Sequence, residues 1–267
     1  MLEGRSWRWG ILMFAVALTA AACGSSSAET TTTISETSTT GDTRPPRTST
    51  TTPGNATTTT VEPGTTTTVA STTGNTEPAP PVGTGTVGVV GCSNTDLAVA
   101  GYTDLSSLDR LTTGDLGGGS PPSWGDPSED RYPEYWGIYE DRRPATGYVE
   151  TWVQLCLRSS EHQGSFDETE QAWITHIVDQ IHQRDPGIPI WISPVNSYEG
   201  IVCDAVGADG PAIAAEASDW AAAALPGVYR GPDLGPLTSA EVGVRDDCHP
   251  NQAGQRLLGG QLVDFFD

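Results

Sequence analysis

Apolar and polar positions alternate along the carboxyl two-thirds of the chain in blocks of two distinct periods. Val87, Val89 and Val90 form a short β-branched run that breaks at Gly91, the pattern of a strand buried on both faces. A helix-compatible stretch, Asp96 to Leu111, comes next, with Gly101 as its weak position. Thr151 to Leu157 reads as a second buried strand, ending at Arg158-Ser159-Ser160. Phe166, Trp173, Ile177, Val178 and Ile181 then recur at helical spacing behind Asp167, Glu168 and Glu170, which suit a helix amino terminus. Asp185-Pro186-Gly187 stops that helix. Ile188 to Ser193 predicts another strand closed by Pro194, Pro211 to Ala224 an alanine-rich helix, and Gly227 to Arg230 a last strand. Asn251 to Phe266 predicts a closing helix with Leu257, Leu258, Leu262, Val263 and Phe266 on its apolar side. Strands alternating with helices predict an α/β domain around a central parallel sheet. Two stretches fit neither period. Gly114 to Gly119 holds Gly117-Gly118-Gly119, either a flexible turn or a place where backbone approaches something closely. Trp124 to Tyr148 is rich in aromatics, either the wall of a cleft or a small core covering the sheet edge.

The amino-terminal third has no such pattern. Arg5 and Arg8 precede an apolar run, Ile11 to Ala22, and Ala20-Ala21-Ala22 lead into Cys23. A basic flank, a short apolar core and small residues before a cut describe a secretory signal. The cysteine at the cut resembles the lipobox of bacterial lipoproteins, with Ala20 where that motif usually has Leu. Residues 1–22 are therefore expected to be a signal peptide and Cys23 a lipidated residue. From Gly24 to Gly85, 31 of 62 residues are Ser or Thr, too few of the rest being apolar for burial to offset ordering, so residues 23–85 are expected to form a disordered tether. Its typical span is about 40–45 Å. Residues 86–267 suffice for one domain with its own core.

Charge and cysteines narrow the setting. The chain has 34 acidic residues against 13 cations, all arginine, for a formal charge of −21. Such a field repels nucleic acid and anionic membrane surfaces, so membrane contact is expected through the lipid anchor only and localisation outside the cytoplasm. Cys92, Cys156, Cys203 and Cys248 give the domain an even count, which in an exported chain predicts two disulfides with three possible connectivities. No Cys-x-x-Cys pair points to zinc.

Two short stretches carry candidate chemistry. Ser93 lies at the strand-to-helix turn Gly91-Cys92-Ser93-Asn94-Thr95, where open α/β sheets place ligands and a helix amino terminus offers N–H groups to an oxyanion. On its own the turn equally fits a helix capped by Ser93 or Thr95. Near the other end, Asp246-Asp247-Cys248-His249-Pro250 places an aspartate three residues before a histidine, the spacing at which a turn lets a carboxylate fix an imidazole's tautomer; on its own the stretch fits a surface histidine before a helix better. Of the other histidines, His176 and His182 are expected on a solvated helix face and His162 on an exposed loop or at the cleft edge; Trp191 is expected in the core.

Together the Gly-Cys-Ser block and the Asp-x-x-His block resemble the SGNH/GDSL hydrolase family over the whole of residues 86–267. The resemblance implies a three-layer, flavodoxin-like sandwich and assigns Ser93 as nucleophile, His249 as general base and Asp246 as its orienter, with Asp247 the fallback. It implies no metal and no organic cofactor. The oxyanion donors it implies are the N–H of Ser93, a glycine N–H for which Gly118 is the candidate, and a third group where the family has Asn and this chain has Arg158. Cys92 replaces the family's aspartate. Because the first and third strands of that fold are neighbours, and if the aromatic stretch hides the second strand, the resemblance implies Cys92–Cys156, and with it Cys203–Cys248. The activity implied is that of an exported serine esterase or deacylase acting on an acylated small molecule, envelope glycan or lipid. Acyl transfer uses the same residues. A non-catalytic glycan-binding lipoprotein on the same fold is the alternative.

Overall fold

The computed structural model describes residues 78–244 and 246–267; the expected signal peptide, Cys23 and nearly all of the tether lie outside them. Four strands form a parallel sheet in the order β1 (Val87–Val90), β2 (Glu150–Leu155), β3 (Ile190–Pro194) and β4 (Val228–Arg230). Every residue of β1, β2 and β3 is buried, which a parallel sheet requires when helices cover both faces. Trp152 and Trp191 are register partners on one face and meet Phe266 and Phe265 at the end of helix α7 (Gln252–Phe266). Helix α1 (Ser93–Leu105) packs beside α7. Their backbones nearly touch at Gly101 and Gly259, where a Cβ on Gly101 would stand 1.8 Å from the Gln255 carbonyl. Gly101 thus permits this close approach of the two helices. The other face carries α3 (Tyr132–Asp141), whose Tyr139 reaches Thr151, and α6 (Gly210–Ala224), which lies on β3 and β4; α5 (Glu168–Arg184) sits beside α6. The result is the α/β sandwich of three layers that the pattern and the resemblance imply.

Two expectations are corrected. The first helix does not run from Asp96 to Leu111. Cys92 precedes its first turn, so Ser93 is already helical, and it ends at Leu105. The Ser106 hydroxyl accepts the N–H groups of Leu108 and Asp109, a local turn that competes with further helix. Asp109 takes φ 47° and turns the chain back to the sheet. Leu111 then pairs in parallel with Val87 on the free edge of β1. This single bridge occupies the second-strand position; counted as a strand it gives the order 2-1-3-4-5 of flavodoxin-like sheets. The second strand is therefore not hidden in the aromatic stretch. That stretch forms α2 (Pro121–Gly125) and α3, and it is a small core rather than a cleft wall. Trp124 stacks on Tyr135 at 4.9 Å and meets Trp136 edge-on at 5.1 Å.

At the end of the sheet away from Ser93, Arg110 and Glu150 form a buried ion pair. Glu150 also accepts from Trp191 Nε1 at 2.8 Å, and Arg110 donates to the carbonyls of Gly85 and Phe266. Packing extends upstream of Thr86: Val82 lies against the core and the Gly83 N–H reaches Glu150.

Both disulfides pair as the resemblance implies, Cys92 with Cys156 and Cys203 with Cys248. They are the bonds of a chain that matures in an oxidising, extracytoplasmic compartment. No helix among the described residues is long and apolar enough to cross a membrane.

Candidate active site

Ser93 is the first residue of α1, directly beyond the carboxyl end of β1. The turn that carries it is fixed from several sides. The Cys92 N–H donates to Thr95 Oγ1 at 2.9 Å, and that hydroxyl donates to Gln154 Oε1 at 2.7 Å, tying the turn to β2. Trp124 Nε1 donates to the Gly91 carbonyl at 2.9 Å. The disulfide from Cys92 to Cys156 adds a covalent tie to the chain just past β2.

His249 arrives from a segment without helix or strand, held by backbone pairing. The Gly243 N–H donates to the His249 carbonyl, Val242 and Pro250 form an antiparallel bridge, and Asn251 Nδ2 donates to the Ala240 and Val242 carbonyls. Asn251 Oδ1 also caps α7. The His249 imidazole Nε2 lies 2.7 Å from Ser93 Oγ, and its Nδ1 lies 2.8 Å from Asp246 Oδ2. The other oxygen of Asp246 accepts the N–H groups of Cys248 and His249. Partial desolvation pulls the Asp246 pKa upward, but those two N–H bonds and the imidazole contact outweigh it, and the carboxyl lies below its ordinary range. An ionised Asp246 accepts Nδ1–H, which leaves Nε2 as the acceptor for the Ser93 hydroxyl. Asp247 makes no such contact among the described residues, so the orienting contact falls to Asp246.

The dyad sits at a cavity of about 290 Å³, lined mainly by apolar atoms. Ser93, Asn94, Gly118, Arg158 and His249 border it, together with Val195, Val206 and both disulfides. Gly118 and Arg158 thus line the same cavity as Ser93. Their arrangement differs from the simplest expectation. Arg158 directs Nη2 at the Gly118 carbonyl rather than standing free as a replacement for an amide. Gly119 presses on the turn that carries Ser93: a Cβ there would stand 2.1 Å from the Gly91 carbonyl. Close approach is therefore one use of the three glycines, and the turn is the other, since Gly118 holds φ +80°.

Four site residues escaped sequence reasoning. Asn94 Nδ2 donates to the Tyr198 hydroxyl at 3.5 Å, and Tyr198 donates to the Cys248 carbonyl at 2.9 Å, joining the serine and histidine sides of the cavity. Burial pushes the Tyr198 hydroxyl up to about 12, so it remains a donor. Asn94 stood in the nucleophile block itself; Tyr198, in a loop past β3, left no local signal. Arg131 and Tyr135 reach the glycine turn from the aromatic stretch. His162 was expected at an exposed loop or the cleft edge and is at neither. It is buried in α4 (Ser159–His162), between the Val206 carbonyl and the Gly164 N–H. His176 and His182 are half-buried, on the Tyr132 hydroxyl and the Ile188 carbonyl. Trp191 is in the core, as expected.

No family model matches the chain, and no curated protein matches it. Among solved structures it is similar to a protein of Arabidopsis thaliana, at 16% identity over 63% of this chain and 64% of that one, with a TM-score of 0.39. It is also similar to a protein of Lactobacillus plantarum, at 15% identity over 70% of this chain and 98% of that one, with a TM-score of 0.40.

Proposed function

We propose that the protein is an exported serine esterase or deacylase of the SGNH/GDSL type, anchored through a lipidated Cys23. The observation that carries this reading is the continuous relay from Asp246 to His249 to Ser93, with contacts of 2.8 and 2.7 Å, opening on a small apolar cavity. Both contacts are already at the distance proton transfer requires. In the reaction, Ser93 Oγ attacks the ester carbonyl while His249 Nε2 takes the hydroxyl proton. The carbonyl oxygen gains the negative charge, and in this reading the N–H groups of Ser93 and Gly118 are its donors. Collapse of the tetrahedral species breaks the bond to the alcohol, which leaves with the proton from His249. Water then attacks the acyl-enzyme with His249 again as base, and the free acid departs. Asp246 holds the imidazole in one tautomer throughout and stabilises its charged form.

The cavity's size favours a short acyl group, and the long tether favours a substrate of the cell envelope, an acylated glycan or lipid. A non-catalytic binding protein would have no need of a 2.7 Å serine–imidazole contact beside a half-exposed carboxylate, and this contact weighs against that alternative.

A fluorophosphonate probe tests the reading. The wild-type protein should be labelled, and Ser93→Ala should abolish labelling and hydrolysis of p-nitrophenyl acetate together. A wild-type protein that resists the probe beside a reactive control hydrolase would refute the catalytic reading, and labelling that survives Ser93→Ala would move the nucleophile elsewhere.

A further inference from the structure

The turn from Leu116 to Gly119 has an unusual distribution of hydrogen bonds. The Gly119 N–H donates to the Leu116 carbonyl at 2.9 Å, closing a four-residue turn, and Gly118 in its third position has φ +80°, as a type II turn requires. The Leu116 N–H goes to Asp96 Oδ2 at 2.7 Å and the Gly117 N–H to Asp115 Oδ1 at 3.4 Å. Gly118 alone of the four has an N–H with no acceptor among the described residues, and Gly118 borders the cavity with Ser93 and His249. The carbonyls are equally committed. Gly117 O accepts Arg131 Nη1 at 2.6 Å and the Tyr135 hydroxyl at 2.9 Å, and Gly118 O accepts Arg158 Nη2.

In a trans peptide the C=O and the following N–H point in opposite directions. Two donors fixed on the Gly117 carbonyl therefore fix the direction of the Gly118 N–H. They also polarise that peptide, which strengthens its N–H as a donor. The two donors are themselves held. Arg131 forms a two-point pair with Glu134 and lies 4.5 Å over the Tyr135 ring, leaving Nη1 for the carbonyl. Tyr135 is fully buried against Trp124. Trp124 in turn holds the Gly91 carbonyl, two residues before Ser93.

We infer that Arg131 and Tyr135 are positioning residues for ester hydrolysis: by gripping the Gly117 carbonyl they aim the Gly118 N–H at the oxyanion formed on Ser93. The inference rests on the esterase reading and deepens it. Arg158, where the family has Asn, grips the next peptide of the same turn, whose N–H closes the turn on the Leu116 carbonyl, so it braces the turn while Arg131 and Tyr135 orient the donor. The aromatic stretch thereby acquires a function that its burial alone does not imply.

The test is steady-state hydrolysis of p-nitrophenyl acetate by the full chain. Tyr135→Phe removes one grip and keeps the ring; it should lower kcat roughly 5-fold, the worth of a single neutral hydrogen bond. Arg131→Met with Tyr135→Phe should lower kcat by about 10²-fold, toward the loss seen when one oxyanion donor is removed, with KM changed less than twofold. Arg131→Lys, which keeps a donor, should retain most of the rate. Melting temperature and intact disulfides establish that each variant is folded. An unchanged kcat in folded variants, or a loss appearing in KM alone, overturns the inference while wild-type labelling at Ser93 leaves the esterase reading standing. Absence of wild-type labelling overturns both.

Discussion

Asp246 and Asp247 are adjacent carboxylates, and the backbone decides which one serves His249. Asp246 Oδ1 accepts the N–H groups of Cys248 and His249, a local turn that brings Oδ2 to within 2.8 Å of Nδ1. Asp247 has no equivalent bond among the described residues. Asp246→Asn should therefore lower kcat substantially, and Asp247→Asn should leave it within twofold, measured side by side on the same ester. The loss at Asp246 should fall short of the roughly 10⁴-fold known for a buried triad aspartate. Its side chain is 50% exposed and that of His249 43% exposed, so solvent compensates part of the lost charge. Because the N–H bonds and the imidazole contact outweigh partial desolvation and hold the carboxyl below its ordinary pKa, Asp246 stays charged through mildly acidic pH. An equal loss in both variants would show the carboxylates to be interchangeable. This part of the site was legible in the sequence because it is local: three residues of spacing define the aspartate–histidine turn. Ser93 and His249 lie 156 residues apart, and only the resemblance joined them.

At the scale of elements, legibility followed the strength of the period. The four strands and helices α5, α6 and α7 lie close to where alternation and helical spacing place them. Leu111 was lost to the first helix because one bridging residue has no period of its own, and the Ser106 turn that frees it is a side-chain event that apolar spacing does not record. The glycine turn was ambiguous for a related reason, since three adjacent glycines look alike in sequence while each meets a different surface. A Cβ at Gly119 would collide with the Gly91 backbone at 2.1 Å and with Trp124 Nε1 at 2.9 Å, whereas one at Gly117 meets only Asp115 Oδ1 at 3.2 Å. Gly119→Ala should push the turn off the nucleophile loop, lowering stability by about 1–3 kcal/mol and slowing hydrolysis. Gly117→Ala should be mild in both. Chemical denaturation and initial rates on the two variants separate the cases, and equal effects would mean that the close approach has no role.

Across the whole molecule, the two disulfides close loops of similar length, 64 and 45 residues apart in sequence. By chain entropy each should contribute about 4 kcal/mol, with little to choose between them. Their surroundings in the folded state differ. Cys92 and Cys156 follow β1 and β2, neighbours already joined by parallel pairing from Val87–Glu150 to Val90–Val153, and the Thr95–Gln154 bond spans the same gap. Removing that bridge leaves the folded site supported, so its effect belongs to the unfolded chain. Cys203 and Cys248 lie in two segments without helix or strand; around His249 the second segment pairs with itself, Gly243 with His249 and Val242 with Pro250, and Tyr198 ties the first segment to the Cys248 carbonyl. Cys248 directly precedes His249, and Cys203 and Cys248 border the cavity, as Cys92 and Cys156 do. Replacing Cys92 and Cys156 by Ala should thus lower the denaturation midpoint with kcat retained. Replacing Cys203 and Cys248 should lower the midpoint by a similar amount and reduce kcat as well, because His249 loses the covalent tie beside it. Denaturation curves with rates measured well below the midpoint distinguish the two. If both pairs change only the midpoint, the backbone pairing around Gly243 and Pro250 holds His249 unaided, and the second bridge, like the first, acts on the unfolded chain.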